Sequence, residues 1–211
     1  MLTANLKTAV HKKLKVAVTG NIGSGKSSFC RFLEDQNYSV IKADEVAKEV
    51  MLNDKWVKAE IIKNFGSAAY EGNNLNKKYL SEKIFSNQSS LFKINSIVHP
   101  VVVEKVFLLM DHELKTSNIV FHEAALIYEA GIAKLFDFVV LITADLNVRL
   151  NRVLQNYKWT EEEFTQREQY QIPQEEKAKQ ADFVFANNGP LTQLKEKSEL
   201  LLKILNGLIT K

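Results

Sequence analysis

The chain has 211 residues, of which 45% are hydrophobic and 25% charged, and a net charge of +3 at neutral pH. That length buries one substantial core with room for inserted subdomains, and the small charge excess suits an anionic small molecule without specifying a nucleic-acid groove. The lone cysteine, Cys30, excludes an intramolecular disulfide and a cysteine-based zinc site, as expected of a protein of the reducing cytoplasm.

Met1–Leu14 carries Lys7, Lys12 and Lys13 and lacks the apolar run of a secretory signal, so a frayed tail is expected. No window approaches the roughly 18–20 apolar residues of a membrane span. Val16, Ala17 and Val18 then read as a buried parallel strand. The turn that follows, Gly20 to Ser27, fits G-x-x-x-x-G-K-[ST], and Phe29, Cys30, Phe32 and Leu33 continue as an amphipathic helix. Strand, glycine-rich loop and helix in that order form a phosphate cradle. Backbone N–H groups from Asn21, Ile22, Gly23, Ser24, Gly25, Lys26, Ser27 and Ser28 are expected to face a polyphosphate at the positive end of the helix dipole. Lys26 is expected to reach the β- and γ-phosphates, and the Ser27 hydroxyl to take one position on Mg²⁺.

Tyr38–Ile41 reads as a second strand. Asp44 follows it at a position suited to a helix N-cap, and also suited to the ligand crevice at the carboxyl edge of the sheet. From Asn53 to about Thr116 strand signals vanish. Helical spacing joins Trp56, Ile61, Ile62 and Phe65, then Leu75, Tyr79, Leu80 and Ile84, with a turn over 70–74 between them. A longer helix is expected from Pro100, in its first turn, to Lys115. So long a helical stretch exceeds a simple crossover and implies an inserted subdomain, a wall for the substrate.

Asn118–His122 is a third strand, and Glu123 at its end is a candidate for ordering metal-bound water, with a local cap or ion pair as the plainer alternative. His122, on the alternate face, reads as a strand residue. Phe138–Ile142 is a fourth strand. After it comes a charged helical hairpin: Val148, Leu150, Val153 and Leu154 stand against Arg149 and Arg152, and Thr160 to Glu163 spell a capping box ahead of Arg167. A mobile flap over the phosphates fits this composition, with Arg152 and Arg167 either stabilising transferred charge or standing as solvated helix charge. Asp182–Ala186 is a fifth strand, and Leu191, Leu194, Leu201, Leu205 and Leu208 line a closing helix.

The reading is therefore α/β, a P-loop NTPase three-layer fold with a five-stranded parallel sheet, a helical insert and a helical lid. The core is assigned to 14–52, 117–146 and 181–211, the insert to 53–116 and the lid to 147–180. A phosphate cradle, a metal position and a free carboxylate suit phosphoryl transfer, with Asp44 as the base for an acceptor hydroxyl. The residues alone leave that acceptor open among small molecules. They also leave room for a nucleotide switch, although the guanine-reading Asn-Lys-x-Asp is missing: Asn76-Lys77 continues into Lys78-Tyr79.

Over about residues 14–205 the chain resembles the dephospho-coenzyme A kinase family. The motifs are Val18 to Ser27; Lys42-Ala-Asp44-Glu-Val-Ala47 for the family's Asp-Ala-Asp-x-x-Ala; and His99-Pro100. Then come Ala125 to Glu129 for Pro-Leu-Leu-Phe-Glu, Arg152 to Asn156 for Arg-x-x-x-Arg, Arg167 to Gln171 for Arg-x-x-x-Gln, and Ala181 to Gly189 near the end. Lys42 and Asn156 depart from the family's Asp and Arg. The resemblance implies transfer of the ATP γ-phosphate to the ribose 3′-hydroxyl of dephospho-CoA with Mg²⁺, in the cytoplasm, with no nucleic-acid or membrane partner. It implies Asp44, Lys26 and Arg152 in catalysis, Ser27 and Glu123 at the metal, and Asp44, His99 and Arg167 on the acceptor side.

Overall fold

Strand β1 (Leu14–Thr19) is apolar almost throughout because it runs through the middle of a sheet. The computed structural model describes residues 12–85, 88–157 and 159–209, so the expected tail lies outside the described residues up to residue 11. Four further strands, β2 (Ser39–Lys42), β5 (Ile119–Glu123), β6 (Phe138–Thr143) and β7 (Phe183–Ala186), complete a five-stranded sheet in the order β2–β5–β1–β6–β7. The β1–β5, β1–β6 and β6–β7 ladders are all parallel. Their register pairs Val18 with Glu123, Thr19 with Leu141 and Thr143 with Ala186, so the carboxyl ends of these strands meet at one edge.

Helix α1 (Lys26–Glu34) follows β1, and the chain closes with α9 (Leu191–Leu208). Phe29, Cys30 and Leu33 of α1 join Leu194, Leu201, Leu202 and Leu205 of α9 in one cluster with Val16, Val18, Phe121, Val140 and Ile142 of the strands. Each such side chain contributes roughly 1.5–3 kcal/mol on burial. Cys30 thus serves as a small apolar filler, as its helical spacing indicated.

Lys42–Leu109 form one compact unit, and the other described residues form a second. The helical unit begins and ends earlier than the expected 53–116, because α2 (Ala43–Asn53) is bound into it: the Tyr70 hydroxyl donates to the Met51 carbonyl at 2.7 Å. Next come α3 (Lys55–Phe65), which Asp54 caps by accepting from Val57 N–H at 2.9 Å, and α4 (Lys77–Phe85). Between them the expected turn over 70–74 is the tip of an antiparallel ribbon, β3 (Tyr70–Glu71) and β4 (Asn74–Leu75), where no strand was expected. Two residues per strand carry too little alternation to register in a hydrophobic pattern.

The expected helix start at Pro100 is also corrected. Helix α5 spans Gln88–Glu113, with Pro100 in its interior. Ile94, Ile97 and Val98 before the proline, and Val102 and Val106 after it, are all buried. Burial on both sides outweighs the ~3 kcal/mol that an interior proline costs.

The hairpin expected as a lid, 147–180, belongs to the unit that carries the sheet. It comprises α6 (Leu146–Asn156), α7 (Glu161–Glu168) and α8 (Gln174–Ala178). The capping box is formed: Thr160 Oγ1 accepts from Glu163 N–H, and the Glu163 carboxylate accepts from Thr160 N–H.

On β5, Phe121 enters the α1–α9 cluster while His122 faces the other way. The His122 ring is stacked on Phe136 and donates its Nδ1–H to the Ile41 carbonyl at 2.9 Å. Burial lowers its pKa to about 4, against the opposing pull of the Ile41 carbonyl. Between pH 6.5 and that value the unfolded chain binds the extra proton, so stability is intact above 6.5 and falls as the pH drops through the window. The full loss is about 3 kcal/mol. His122→Asn is expected to flatten this decline when urea midpoints are compared between neutral pH and the foot of the window; an unchanged slope would contradict it.

Candidate active site

At the carboxyl edge, β1 gives way to the loop Gly20–Gly25 and then to α1. Gly25 has φ 94° and Gly23 φ 78°, a left-handed backbone that lets the chain wrap tightly. A Cβ on Gly25 would lie 2.2 Å from Asn187 Nδ2, and one on Gly23 2.5 Å from the Arg149 carbonyl oxygen. The loop is thus pressed against α6 and the turn after β7.

Three successive carbonyls on that outer side each meet a side-chain donor. Arg149 Nη1 donates to Ile22 at 3.1 Å, Arg152 Nη1 to Gly23 at 3.4 Å, and Asn187 Nδ2 to Ser24 at 2.8 Å. Gly25 O accepts the first helical bond, from Phe29 N–H. Carbonyls turned outward leave the amides turned inward. Two of these are already used within the protein: Ile22 N–H donates to Gln171 Oε1 at 2.8 Å, and Ser24 N–H to the Asn21 carbonyl. Lys26, Ser27 and Ser28 open α1, where N–H groups have no intrahelical acceptor, and no acidic side chain stands in that first turn. Ser24 Oγ is buried with no hydrogen-bond partner among the described residues.

Ser27 Oγ donates to Glu123 Oε1 at 2.5 Å, uniting the two residues expected at a metal. The register of β5 on β1 brings Glu123 alongside Val18, one residue short of the strand's end, so the carboxylate reaches the start of α1. Glu123 is buried at 8% exposure, and a hydroxyl beside a carboxylate is a hard oxygen pair of the kind Mg²⁺ takes.

Lys26 is half-buried and has no hydrogen-bond or ion-pair partner among the described residues. Its charge reaches Lys177 on α8. Lys177 is wholly buried and paired with Glu129 at 2.8 Å; burial chiefly, and Lys26 to a lesser degree, lower its pKa, while Glu129 raises it. Arg152 also donates to the Asn187 carbonyl at 2.8 Å, and burial lowers its pKa. Asn156 turns back to donate to the Arg152 carbonyl at 2.8 Å.

The remaining expected residues are distributed differently. Arg167 is stacked over the Trp159 ring at 4.1 Å, with its pKa lowered by burial against the opposing charge of Glu163. Asp44 and His99 both belong to the helical unit. Asp44 is not the N-cap that its position suggested: Lys42 is, and the exposed Asp44 stands in the first turn of α2 with no hydrogen-bond partner among the described residues. His99 lies in α5 next to Pro100, half-buried, with its pKa lowered by burial. The sequence places Arg149 on the charged face of α6 and carries no sign of the roles of Glu168 and Lys177. The one available signal was the Arg149–Arg152 spacing, which sets both on one side of α6.

The sequence model for the dephospho-CoA kinase family matches residues 14–193. A dephospho-CoA kinase of Fusobacterium nucleatum is 35% identical over 185 residues, covering 87% of this chain and 94% of that protein. The crystal structure of TT1252 from Thermus thermophilus superposes with a TM-score of 0.77 at 32% identity, over 92% of this chain and 98% of that one. For a dephospho-CoA kinase from Campylobacter jejuni the TM-score is 0.69 at 24% identity, over 90% of this chain and 96% of that one, a likeness of fold.

Gly25→Ala is expected to lower affinity for Mg-ADP by tenfold or more, on the order of a lost charge-assisted contact. Gly207→Ala, where an added Cβ meets nothing within 4 Å, is the neutral comparison. Equal calorimetric affinities for the two variants would contradict the close fit of the loop.

Proposed function

The chain belongs to the dephospho-CoA kinase family, and on that premise we propose that it transfers the γ-phosphate of ATP to the ribose 3′-hydroxyl of dephospho-CoA, giving coenzyme A. The observation that carries this reading is the 2.5 Å hydrogen bond from Ser27 to Glu123, beside the open amides of α1. A polyphosphate accepts from those amides, and the Ser27 hydroxyl and Glu123 carboxylate are the residues that would hold Mg²⁺. The ion, when bound, neutralises charge on the β- and γ-phosphates. The loop amides of Ile22 and Ser24 already donate within the protein, to Gln171 and to the Asn21 carbonyl, which leaves the cradle to Asn21, Gly23, Gly25, Lys26, Ser27 and Ser28. Lys26 supplies a mobile point charge to the phosphates.

In the reaction the acceptor 3′-oxygen forms a bond to the γ-phosphorus as the bond to the bridging oxygen of ADP breaks. The hydroxyl proton passes to Asp44, whose carboxylate is exposed. Arg152 keeps N–H donors beyond those given to Gly23 and Asn187, and these face charge on the transferred group. His99 and Arg167 contribute to acceptor binding. Among the described residues no helix is long and apolar enough to cross a membrane. We assign the enzyme to the cytoplasm, where Cys30 stays a thiol.

An ADP-release assay with dephospho-CoA against a panel of nucleosides and sugar acids tests the acceptor. Turnover is expected with dephospho-CoA, and turnover confined to the panel would reject it. Asp44→Asn is expected to keep ATP affinity while kcat falls by about 10²–10⁴-fold; near-normal kcat removes Asp44 as base. Lys26→Ala is expected to weaken ATP affinity and slow turnover together, and Arg152→Ala to lower kcat more than it raises the acceptor KM. An Arg152→Ala effect on KM alone would make that residue a binding group.

A further inference from the structure

Arg149 is only 3% exposed, which is unusual for an arginine. Its guanidinium is used on every side. Nη1 and Nη2 donate to the two carboxylate oxygens of Glu168 at 2.7 Å each, a forked ion pair between α6 and α7. Nε donates to the Ala144 carbonyl at 3.1 Å, at the end of β6, and Nη1 also reaches the Ile22 carbonyl. Glu168 in turn accepts from Asn21 Nδ2 at 3.1 Å.

Asn21 and Ile22 are therefore held at several points by one small group of side chains. Ile22 is gripped at its carbonyl by Arg149 and at its amide by Gln171, three residues after Glu168. Gly23 rests on the Arg149 backbone so closely that a Cβ would lie 2.9 Å from the Arg149 Cα. What these contacts govern is the path of the loop just before the amides that open α1.

We infer that the Arg149–Glu168 pair is a positioning clamp that sets the entry of the phosphate loop from behind, coupling ATP affinity to the seating of α7 on α6. This rests on the reading of the loop as the ATP site. The forked pair is costly to break from the Glu168 side, because the buried Arg149 charge is then stranded away from water. A lysine at 149 keeps the charge but supplies no fork, and so cannot serve Glu168, Ala144 and Ile22 together. The clamp also means that the base of the hairpin, at residues 149 and 168, is fixed to the loop, and lid motion is left to the hairpin beyond that pair.

The test compares wild type with Arg149→Met, Arg149→Lys and Glu168→Gln, reading ATP KM, dephospho-CoA KM, kcat and melting temperature, with calorimetric Mg-ADP binding in the absence of acceptor. ATP KM is expected to rise by about tenfold in Arg149→Met, nearly as much in Arg149→Lys, and about threefold in Glu168→Gln, with the acceptor KM unchanged. Should Arg149→Met fail to fold, the lysine and glutamine variants decide. ATP affinity within twofold of wild type in folded variants overturns the clamp, as does rescue by lysine or an equal rise in both KM values tracking the melting temperature. Failure of the wild type to bind ATP removes the proposed function and the clamp together, whereas unchanged variants of an active wild type remove only the clamp.

Discussion

A phosphate loop can aim its amides inward only if its carbonyls are accommodated on the other side. Here that side is packed against α6 and the turn after β7, where an unsatisfied carbonyl costs roughly 1–3 kcal/mol. The chain meets the demand residue by residue, with Arg149 for Ile22, Arg152 for Gly23 and Asn187 for Ser24. Two of the three donors are arginines, so the groups that shape the loop also make its surroundings positive. Shape and charge at this edge come from the same side chains.

The local charge balance follows from that arrangement. Lys26, Arg149, Arg152 and Lys177 are partly or wholly withdrawn from water, and Glu129 and Glu168 answer two of them directly. Lys177 registers the crowding: burial and the proximity of Lys26 both depress its pKa, and Glu129 holds it up. A polyanion beside Lys26 would complete the set. Glu123 stands apart from these pairs, committed instead to the Ser27 hydroxyl.

Much of this was legible in the sequence. Apolar runs of four to six residues read correctly as strands because a parallel sheet covered on both faces demands continuous hydrophobicity there. The glycine spacing located the loop, strand periodicity put Glu123 at the right edge, and Thr160 announced its capping box. What stayed hidden is long-range. Pro100 reads as a helix start by local chemistry, and only buried neighbours on both sides carry α5 through it. Asp44 looks like an N-cap until the turn is built two residues earlier, at Lys42. Arg149 and Lys177 look like surface charge, since nothing local announces that Glu168 and Glu129 will meet them in the interior.

The inward amides can be observed directly by ¹⁵N-resolved NMR of the protein titrated with Mg-ADP. Large downfield shifts are expected at the amides of Gly25, Lys26 and Ser27, with Ile22 nearly unmoved because its N–H already belongs to Gln171. Saturating nucleotide that leaves those three amides unshifted, or moves Ile22 most, would contradict the phosphate-cradle assignment.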